Sequence, residues 1–184
     1  MKTLTKIAFG GSCHWCTEAV FQSLLGVLKV EQGFVASTDG NSEFSEAVVV
    51  YFDAAKISLG VLIEIHLHTH KSTSNHSMRS KYRSAVYTFS ETQKHEAKSQ
   101  LELLQFQFQN TLVTQVLPFN RFKASRVQIQ NYYYSNPEKP FCESFINPKL
   151  QILLMKFSKH TDHNKLKHLK DESRETNHNQ HQGS

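Results

Sequence analysis

Polar and apolar residues alternate over residues 6–9 (KIAF) and then meet Gly10 and Gly11, the pattern of a short strand ending in a tight turn. Beyond the glycines the period changes. Trp15, Val20, Phe21, Leu24 and Leu25 recur at the spacing of one helix face. Ser12 stands where that helix needs an N-cap, and Gly26 where it would stop. Residues 27–37 (VLKVEQGFVAS) predict a strand running into a turn at Gly33. Residues 45–53 (SEAVVVYFD) are β-branched and aromatic, the strongest strand signal in the chain. Ser58 caps an expected helix over 58–70, which Gly60 weakens. A strand follows at 82–89 (YRSAVYTF), and Ser90 with Gln93 forms an S-x-x-Q capping box opening a helix to about residue 109. Residues 111–119 (TLVTQVLPF) read as a strand stopped by Pro118. Ser125 and Gln128 form a second such box, opening a short helix through IQNYYY. Pro137, Pro140 and Pro148 mark an extended, looped stretch around Cys142 before helical spacing resumes at PKLQILLMKF.

That order of elements predicts an α+β fold: a mixed or antiparallel sheet with helices packed on it, a ferredoxin-like core with a βαβ unit, and a long coil-rich C-terminal part. A length of 184 residues suits one domain with a real core. From residue 159 the pattern fails. Residues 159–184 are polar, mixed in charge and hold five of the eleven histidines. They are expected to form a disordered tail behind a single domain spanning 1–158.

Charge and apolar runs remove several function classes. The net charge is +5, but the Lys and Arg residues are scattered rather than gathered, so nucleic acid is not an expected partner. No apolar run reaches the core length of a signal peptide or the roughly 20 residues of a membrane span. A cytoplasmic protein without a membrane partner is the expectation. The cysteines are Cys13, Cys16 and Cys142, a small odd number that argues against a secreted disulfide scaffold.

The candidate chemistry therefore sits in GGSCHWC. In the first turn of a helix, Cys13 would face unpaired backbone N–H groups, which favour its thiolate. Cys16, three residues on, shares that helix face and can close a disulfide with it. Two blander readings stand beside this one: half of a structural zinc site, or two packed and inert cysteines. His66, His68, His70 and His76 form a His-rich segment whose first three members would share one side if extended. It is read here as a polar loop around the site's rim, with no metal. A histidine close to Cys13, including His14 itself, can tune the thiol or relay protons.

The stretch FGGSCHWCTEAVFQSLLGV resembles the A-type peptide methionine sulfoxide reductases, where the corresponding block reads Gly-Cys-Phe-Trp-Cys/Gly, then Glu and a helix. SEAVVVYFD resembles the family's second block, a glutamate before a valine-rich strand. KYRSAVYTF resembles its third, Gln-Tyr-Arg-Ser-Ala-Ile-Tyr. PFNRFKASRVQIQNYYYSNPEKPFC resembles the late block with paired tyrosines, Asn-Pro and, in some members, a cysteine. The blocks keep the family order between residues 7 and 156.

The resemblance implies a thiol-dependent reductase of methionine-S-sulfoxide, free or in proteins, needing no cofactor beyond thioredoxin or another dithiol as reductant. Cys13 would attack the sulfoxide sulfur and become a sulfenic acid. A second cysteine would then form a disulfide that thioredoxin reduces. Glu46 would protonate the sulfoxide oxygen, a role that needs a buried carboxyl. Tyr82 would hydrogen-bond the same oxygen. Trp15 would pack against the substrate methyl, with Phe34 as the second aromatic wall. For the resolving cysteine, Cys16 is favoured over Cys142, and a relay through both stays open. A monomer is expected.

The chain departs from the family pattern at several of these positions. His14 replaces a phenylalanine, Phe34 a tyrosine, Ser77 an aspartate, Ile129 a histidine and Ser12 a glycine. His14 or His76 is expected to supply polar contacts that these changes remove. The rivals are a general Cys-x-x-Cys thiol–disulfide oxidoreductase and a non-enzymatic metal-binding redox sensor built on Cys and His.

Overall fold

The computed structural model describes residues 4–169. Strand β1 (Leu4–Gly10) leads into helix α1 (His14–Gln22), strands β2 (Val27–Ala36) and β3 (Ser45–Asp53), helix α2 (Leu59–Thr69) and strand β4 (Ala85–Thr88). Helix α3 (Glu91–Leu104), strands β5 (Gln115–Pro118) and β6 (Arg121–Ala124), and helices α4 (Tyr132–Ser135) and α5 (Asn147–Lys156) complete it. Six strands among the described residues form one sheet in the order β5-β4-β1-β3-β2-β6. β1 and β2 both pair antiparallel to β3, which lies between them, so β1-α1-β2 is a split βαβ unit. β1 also pairs antiparallel to β4, giving the expected ferredoxin-like core, and β5 adds a parallel edge.

The β-branched run of β3 becomes the sheet's centre because it can be covered on both faces. Val48, Val50 and Phe52 join the large core with Ile7 and Phe9 of β1, Phe21 of α1 and Leu62 and Ile63 of α2. The alternate residues Ala47 and Val49 join Ala8, Val35 and Tyr87 in a smaller cluster on the other face. Polar side chains set the helix starts. Ser58 Oγ accepts Val61 N–H at 3.2 Å, and Ser90 Oγ accepts Gln93 N–H at 3.1 Å. Gln93 Oε1 reaches back to Phe89 N–H at 2.8 Å, closing the first capping box one residue early.

Several local expectations give way to tertiary structure. The cap of α1 is Cys13, not Ser12, whose hydroxyl lies 3.2 Å from Thr17 Oγ1 instead. Gly33 makes no turn. β2 runs through it, and β6, which carries no strand signal of its own, packs so close that a Cβ there would lie 2.2 Å from the Lys123 carbonyl. The second capping box does not form: Ser125 Oγ is buried without a partner, and only a 3₁₀ turn (Val127–Ile129) precedes α4. The proline-bounded stretch around Cys142 is not extended. Cys142–Ile146 is a π-helical turn running straight into α5. The expected tail is ordered as far as the description goes. Asp162 N–H donates to Ser23 O at 2.8 Å, Leu25 N–H to His160 O at 2.8 Å, and Thr161, Leu166 and Leu169 are buried against the core. Residues 170–184 of that segment lie outside the described residues. No helix among the described residues is long and apolar enough to cross a membrane.

Candidate active site

Gly10 ends β1 and Gly11 turns the chain towards α1 near the centre of the sheet. Gly11 has φ +153°, and a Cβ there would strike the His70 ring, so only glycine fits. Cys13 follows as the N-cap of α1, its carbonyl accepting Cys16 N–H at 3.0 Å and Thr17 N–H at 3.2 Å. A hydrogen bond from the Cys16 thiol is the largest influence on the Cys13 sulfur and lowers its pKa. Burial opposes that, the backbone N–H groups of Trp15 and Cys16 reinforce it, and the Glu46 charge works against it. The same bond, with burial and the facing sulfur, pushes the Cys16 thiol far above the ordinary range. Cys16 has one proton to give. The Phe145 carbonyl, 4.0 Å away at the outer limit for sulfur, and the Cys13 sulfur both stand as acceptors for it. The pair is thus a thiol of lowered pKa, Cys13, facing a buried thiol of raised pKa, Cys16.

Glu46 enters from β3, opposite Phe34 on β2. Its carboxylate is 8% exposed and accepts the backbone N–H of His14, the residue after Cys13, at 3.0 Å. Lys81 Nζ stands 3.8 Å from Oε1 and His14 Nε2 3.9 Å from Oε2. His14 is buried, and its ring is fixed. Nδ1 lies 2.9 Å from the Gly33 carbonyl, which can only accept, so Nδ1 carries a proton and Nε2 is the nitrogen turned to Glu46. Its ring meets Phe34 edge-on, with centroids 5.2 Å apart. Sequence reasoning placed Glu46 and His14 as separate candidates; the fold makes them neighbours.

Cys13 and Cys16 open onto a cleft of ≈ 530 Å³ whose walls include Tyr82, His76, Ser77, Phe141, Phe145 and Lys149. A cleft of similar size, ≈ 520 Å³, between Gln22, Asn131, Tyr134 and Lys165 carries no thiol or carboxyl. Tyr82, His76 and Ser77 come from the loop between α2 and β4. Arg79 ties that loop down, donating to the carbonyls of Ser74 (2.9 Å), Tyr82 (2.8 Å) and Gly11 (2.9 Å), the last in the turn before Cys13. Trp15, Phe34, His14 and Glu46 stand behind the cleft rather than on its wall. Trp15 stacks on Tyr132 at 4.0 Å, meets Phe141 edge-on, and leaves its buried indole N–H without an acceptor. Cys142 is fully buried in the π-helical turn, 3.7 Å from the Asn136 carbonyl, and burial pushes its thiol pKa up.

The histidine segment is not a rim loop at its start. His66 and His68 lie in α2 and His70 caps it. His66 and His70 stack 4.1 Å apart in the interior, bonded to Gly10 O and Ser84 Oγ, both at 2.8 Å, while His68 faces Gln107 on another side. The one-sided ligand row imagined for an extended chain does not form, and no cluster of three or more His, Cys, Asp or Glu able to hold a metal occurs among the described residues. Arg79, Lys149 and Tyr132 were missed in the sequence. Arg79 sits in a loop that gives no period to read, and Lys149 and Tyr132 lie in the first turns of α5 and α4, where only the fold shows what each side chain meets.

A helix-mouth thiol of lowered pKa facing a second thiol, beside a buried carboxyl, defines a thiol-redox protein. Its relatives make that class specific. Residues 5–162 match the family model described as peptide methionine sulfoxide reductase. The protein named peptide methionine sulfoxide reductase MsrA from Trichodesmium erythraeum is 35% identical over 82% of this chain and 94% of its own. The reduced form of Mxr1 from Saccharomyces cerevisiae shares the fold with TM-score 0.68 and 20% identity, over 76% of this chain and 89% of that one. Mxr1 in complex with Trx2 matches with TM-score 0.57 and 20% identity, over 73% and 86%. The chain belongs to the peptide methionine sulfoxide reductase family.

Proposed function

We propose that this protein reduces methionine-S-sulfoxide with Cys13 as nucleophile and that a thioredoxin-type dithiol recycles it. The observation that carries the assignment of Cys13 is its place at the mouth of α1, beside Cys16 and open to the cleft, where its pKa is lowered. The Cys13 thiolate attacks the sulfoxide sulfur. The sulfoxide oxygen takes a proton from Glu46, which enters this step in its protonated form and leaves it as the carboxylate, with Tyr82 donating a hydrogen bond to the same oxygen. The hydroxyl then passes from the substrate sulfur to the Cys13 sulfur as the new S–S bond and the substrate S–O bond break, leaving Cys13 as a sulfenic acid and releasing methionine, the thioether. The Cys16 thiol then attacks the sulfenic sulfur, water departs, and a Cys13–Cys16 disulfide remains. An external dithiol exchanges with it, becoming a disulfide itself and returning both thiols. Trp15 and Phe34 form the aromatic backing of the reacting sulfur and of Glu46. His14 fixes Glu46 through its backbone N–H and ring.

A reductant that must be renewed suits the reducing cytoplasm, and each chain carries a whole site, so it acts as a monomer. Thioredoxin is the natural candidate: a structural relative was solved bound to Trx2. The test uses purified protein, a peptide carrying methionine-S-sulfoxide, and dithiothreitol or thioredoxin. Stoichiometric reduction of the S epimer, absent in Cys13→Ser, is expected. Equal behaviour of the two proteins would overturn the reading. Insulin disulfides left intact under the same conditions would set aside a general thiol–disulfide oxidoreductase.

A further inference from the structure

The walls of the catalytic cleft carry charge of one sign. Lys71 and Lys149 line it together with Cys13 and Cys16, and no carboxyl lines it. Neither ammonium has a carboxylate within ion-pair distance among the described residues. Lys149 comes from α5 and donates its proton to the carbonyl of Thr69, the last residue of α2, which anchors the charge at the negative end of that helix. Lys71, two residues on, is exposed. The two charges sit close enough that Lys71 is among the influences lowering the Lys149 pKa, after burial and against the pull of the two sulfurs. His76, on the same wall, is likewise shifted downward, by desolvation and then by Arg79 and Lys71.

The Cys13 thiolate and Glu46 do not cancel this field. Glu46 is turned to His14 and Lys81. The thiolate is already held by the Cys16 thiol and two backbone N–H groups. Lys71 and Lys149 therefore leave a positive excess on the cleft wall. The rim is also apolar and open, with Met78 48% and Phe145 58% exposed. Exposed apolar side chains flanking a cationic cleft suit a peptide running past the reacting residue better than a single free amino acid.

We infer that Lys71 and Lys149 form a carboxylate subsite, so that the enzyme selects methionine sulfoxide in peptides with Asp or Glu close to it in sequence. The inference rests on Cys13 being the sulfoxide-reducing thiol, and it is tested in two separable ways.

The first reading is kinetic. Peptides with blocked ends carry one methionine-S-sulfoxide flanked by Asp, by Asn or by Lys. At low ionic strength kcat/KM should favour the Asp peptide over the Lys peptide by roughly tenfold, the combined effect of two partly screened ion pairs. The ratio should shrink as salt rises. Lys71→Glu changes an exposed side chain and should invert the ratio, while Lys149→Gln should flatten it. The second reading is binding. Labelled peptides are titrated against Cys13→Ser protein and followed by anisotropy, with the Asp peptide expected to bind more tightly by a similar factor. Equal affinity for the three peptides, or a preference unchanged by Lys71→Glu, would overturn the subsite. Blocked free methionine sulfoxide reduced as well as the Asp peptide would overturn it too. Acidic preference in binding without any sulfoxide reduction would keep the subsite and reject the chemistry.

Discussion

Residues 10–22 and residues 125–169 build opposite sides of the same site by different physics. In the first segment, the groups around the reactive sulfur come from the next few residues. Gly11 makes the turn, Cys13 caps the helix, and Cys16 and the Trp15 N–H lie within one turn. In the second, almost nothing local decides the conformation. The start of α4 is capped by a side chain from more than a hundred residues away: Glu18 accepts Asn131 N–H and Tyr132 N–H, both at 3.0 Å. Tyr133 Oη bonds Asn147 and His168, each at 2.7 Å, and the π-helical turn sits over Cys16. A reactive group can be specified by its immediate neighbours, whereas the wall that encloses it must be specified by the whole fold.

The comparison breaks most sharply if the local segment does not own the chemistry. Cys13→Ser replaces a thiolate by a hydroxyl that stays protonated at neutral pH, in the same place and nearly the same volume. Turnover should fall by about 10⁴-fold or more with little change in stability. Steady-state reduction of a sulfoxide peptide, with thermal unfolding as the control, measures both. Residual turnover within a factor of ten of the parent would move the nucleophile to Cys142 and reverse the roles of the two segments.

The next largest effect should come from the link between the segments. Glu18 is buried and serves three donors: the two backbone N–H groups and Gln32 Nε2 at 3.0 Å. Glu18→Ala strands the two backbone N–H groups and leaves Gln32 Nε2 only the Ile129 carbonyl, and a loss of about 3 kcal/mol is expected. Chemical denaturation reads it. Proteolysis should then cut first within 125–169, since that segment loses its anchor while α1 keeps its own turns. Cleavage starting instead in α1 would show that the local segment depends on the wrap.

What could be read from the sequence follows the same division. β3 was legible in full, since Val48, Val49 and Val50 are β-branched and bury on both faces. α1 was legible from its period though not from its cap, α2 and the start of α3 from period and caps, and Cys13 and Cys16 from their spacing. β6 was not: Arg121–Ala124 is mostly exposed and becomes a strand only because Gly33 lets it approach β2. Cys142 looked extended because three prolines surround it, yet Pro148 sits in the first turn of α5, where a missing N–H costs nothing. The polarity of residues 159–169 concealed Leu166 and Leu169, too sparse to show a period but each fully packed. His66 and His70 looked like rim groups because histidine is polar, though burial keeps both neutral.

That burial gives the molecule an acid limit. The His66 pKa is lowered to about 3, chiefly by burial, and His70 is also well below its usual value. The unfolded chain binds protons at these sites near pH 6.5, where the folded chain does not. Stability is therefore fully present above that pH and declines as pH falls toward 3. Between pH 6.5 and 5, His66 alone accounts for a loss of about 2 kcal/mol. Denaturation midpoints measured across that range should fall, and His66→Gln should flatten the slope. An unchanged slope would mean that the histidine is accessible in the folded state, and would reopen its assignment to the rim.

A smaller effect tests the thiol pair directly. Cys16→Ala removes the hydrogen bond that contributes most to the Cys13 thiolate, leaving burial and the Glu46 charge less opposed. The Cys13 pKa should rise, and alkylation by iodoacetamide at neutral pH should slow severalfold. The pH profile of the rate decides between causes: a displaced profile means lost thiolate stabilisation, and an equal slowing at every pH means lost access.

The smallest change expected is at Cys142, and it bears most closely on how the segments divide the work. Cys142 has no exposed surface, and its thiol lies against the Asn136 carbonyl in a turn bonded to the rest of the wrap. Reaching Cys13 would require that turn to open, whereas Cys16 already faces Cys13. Cys142→Ala should therefore cost about 1 kcal/mol of packing and leave the first turnover intact. Mass spectrometry after one equivalent of sulfoxide should find Cys13 joined to Cys16 in both proteins. If the parent instead yields Cys13–Cys142, the π-helical turn must unwind during catalysis, and the segment that resists reading from sequence becomes the one that moves.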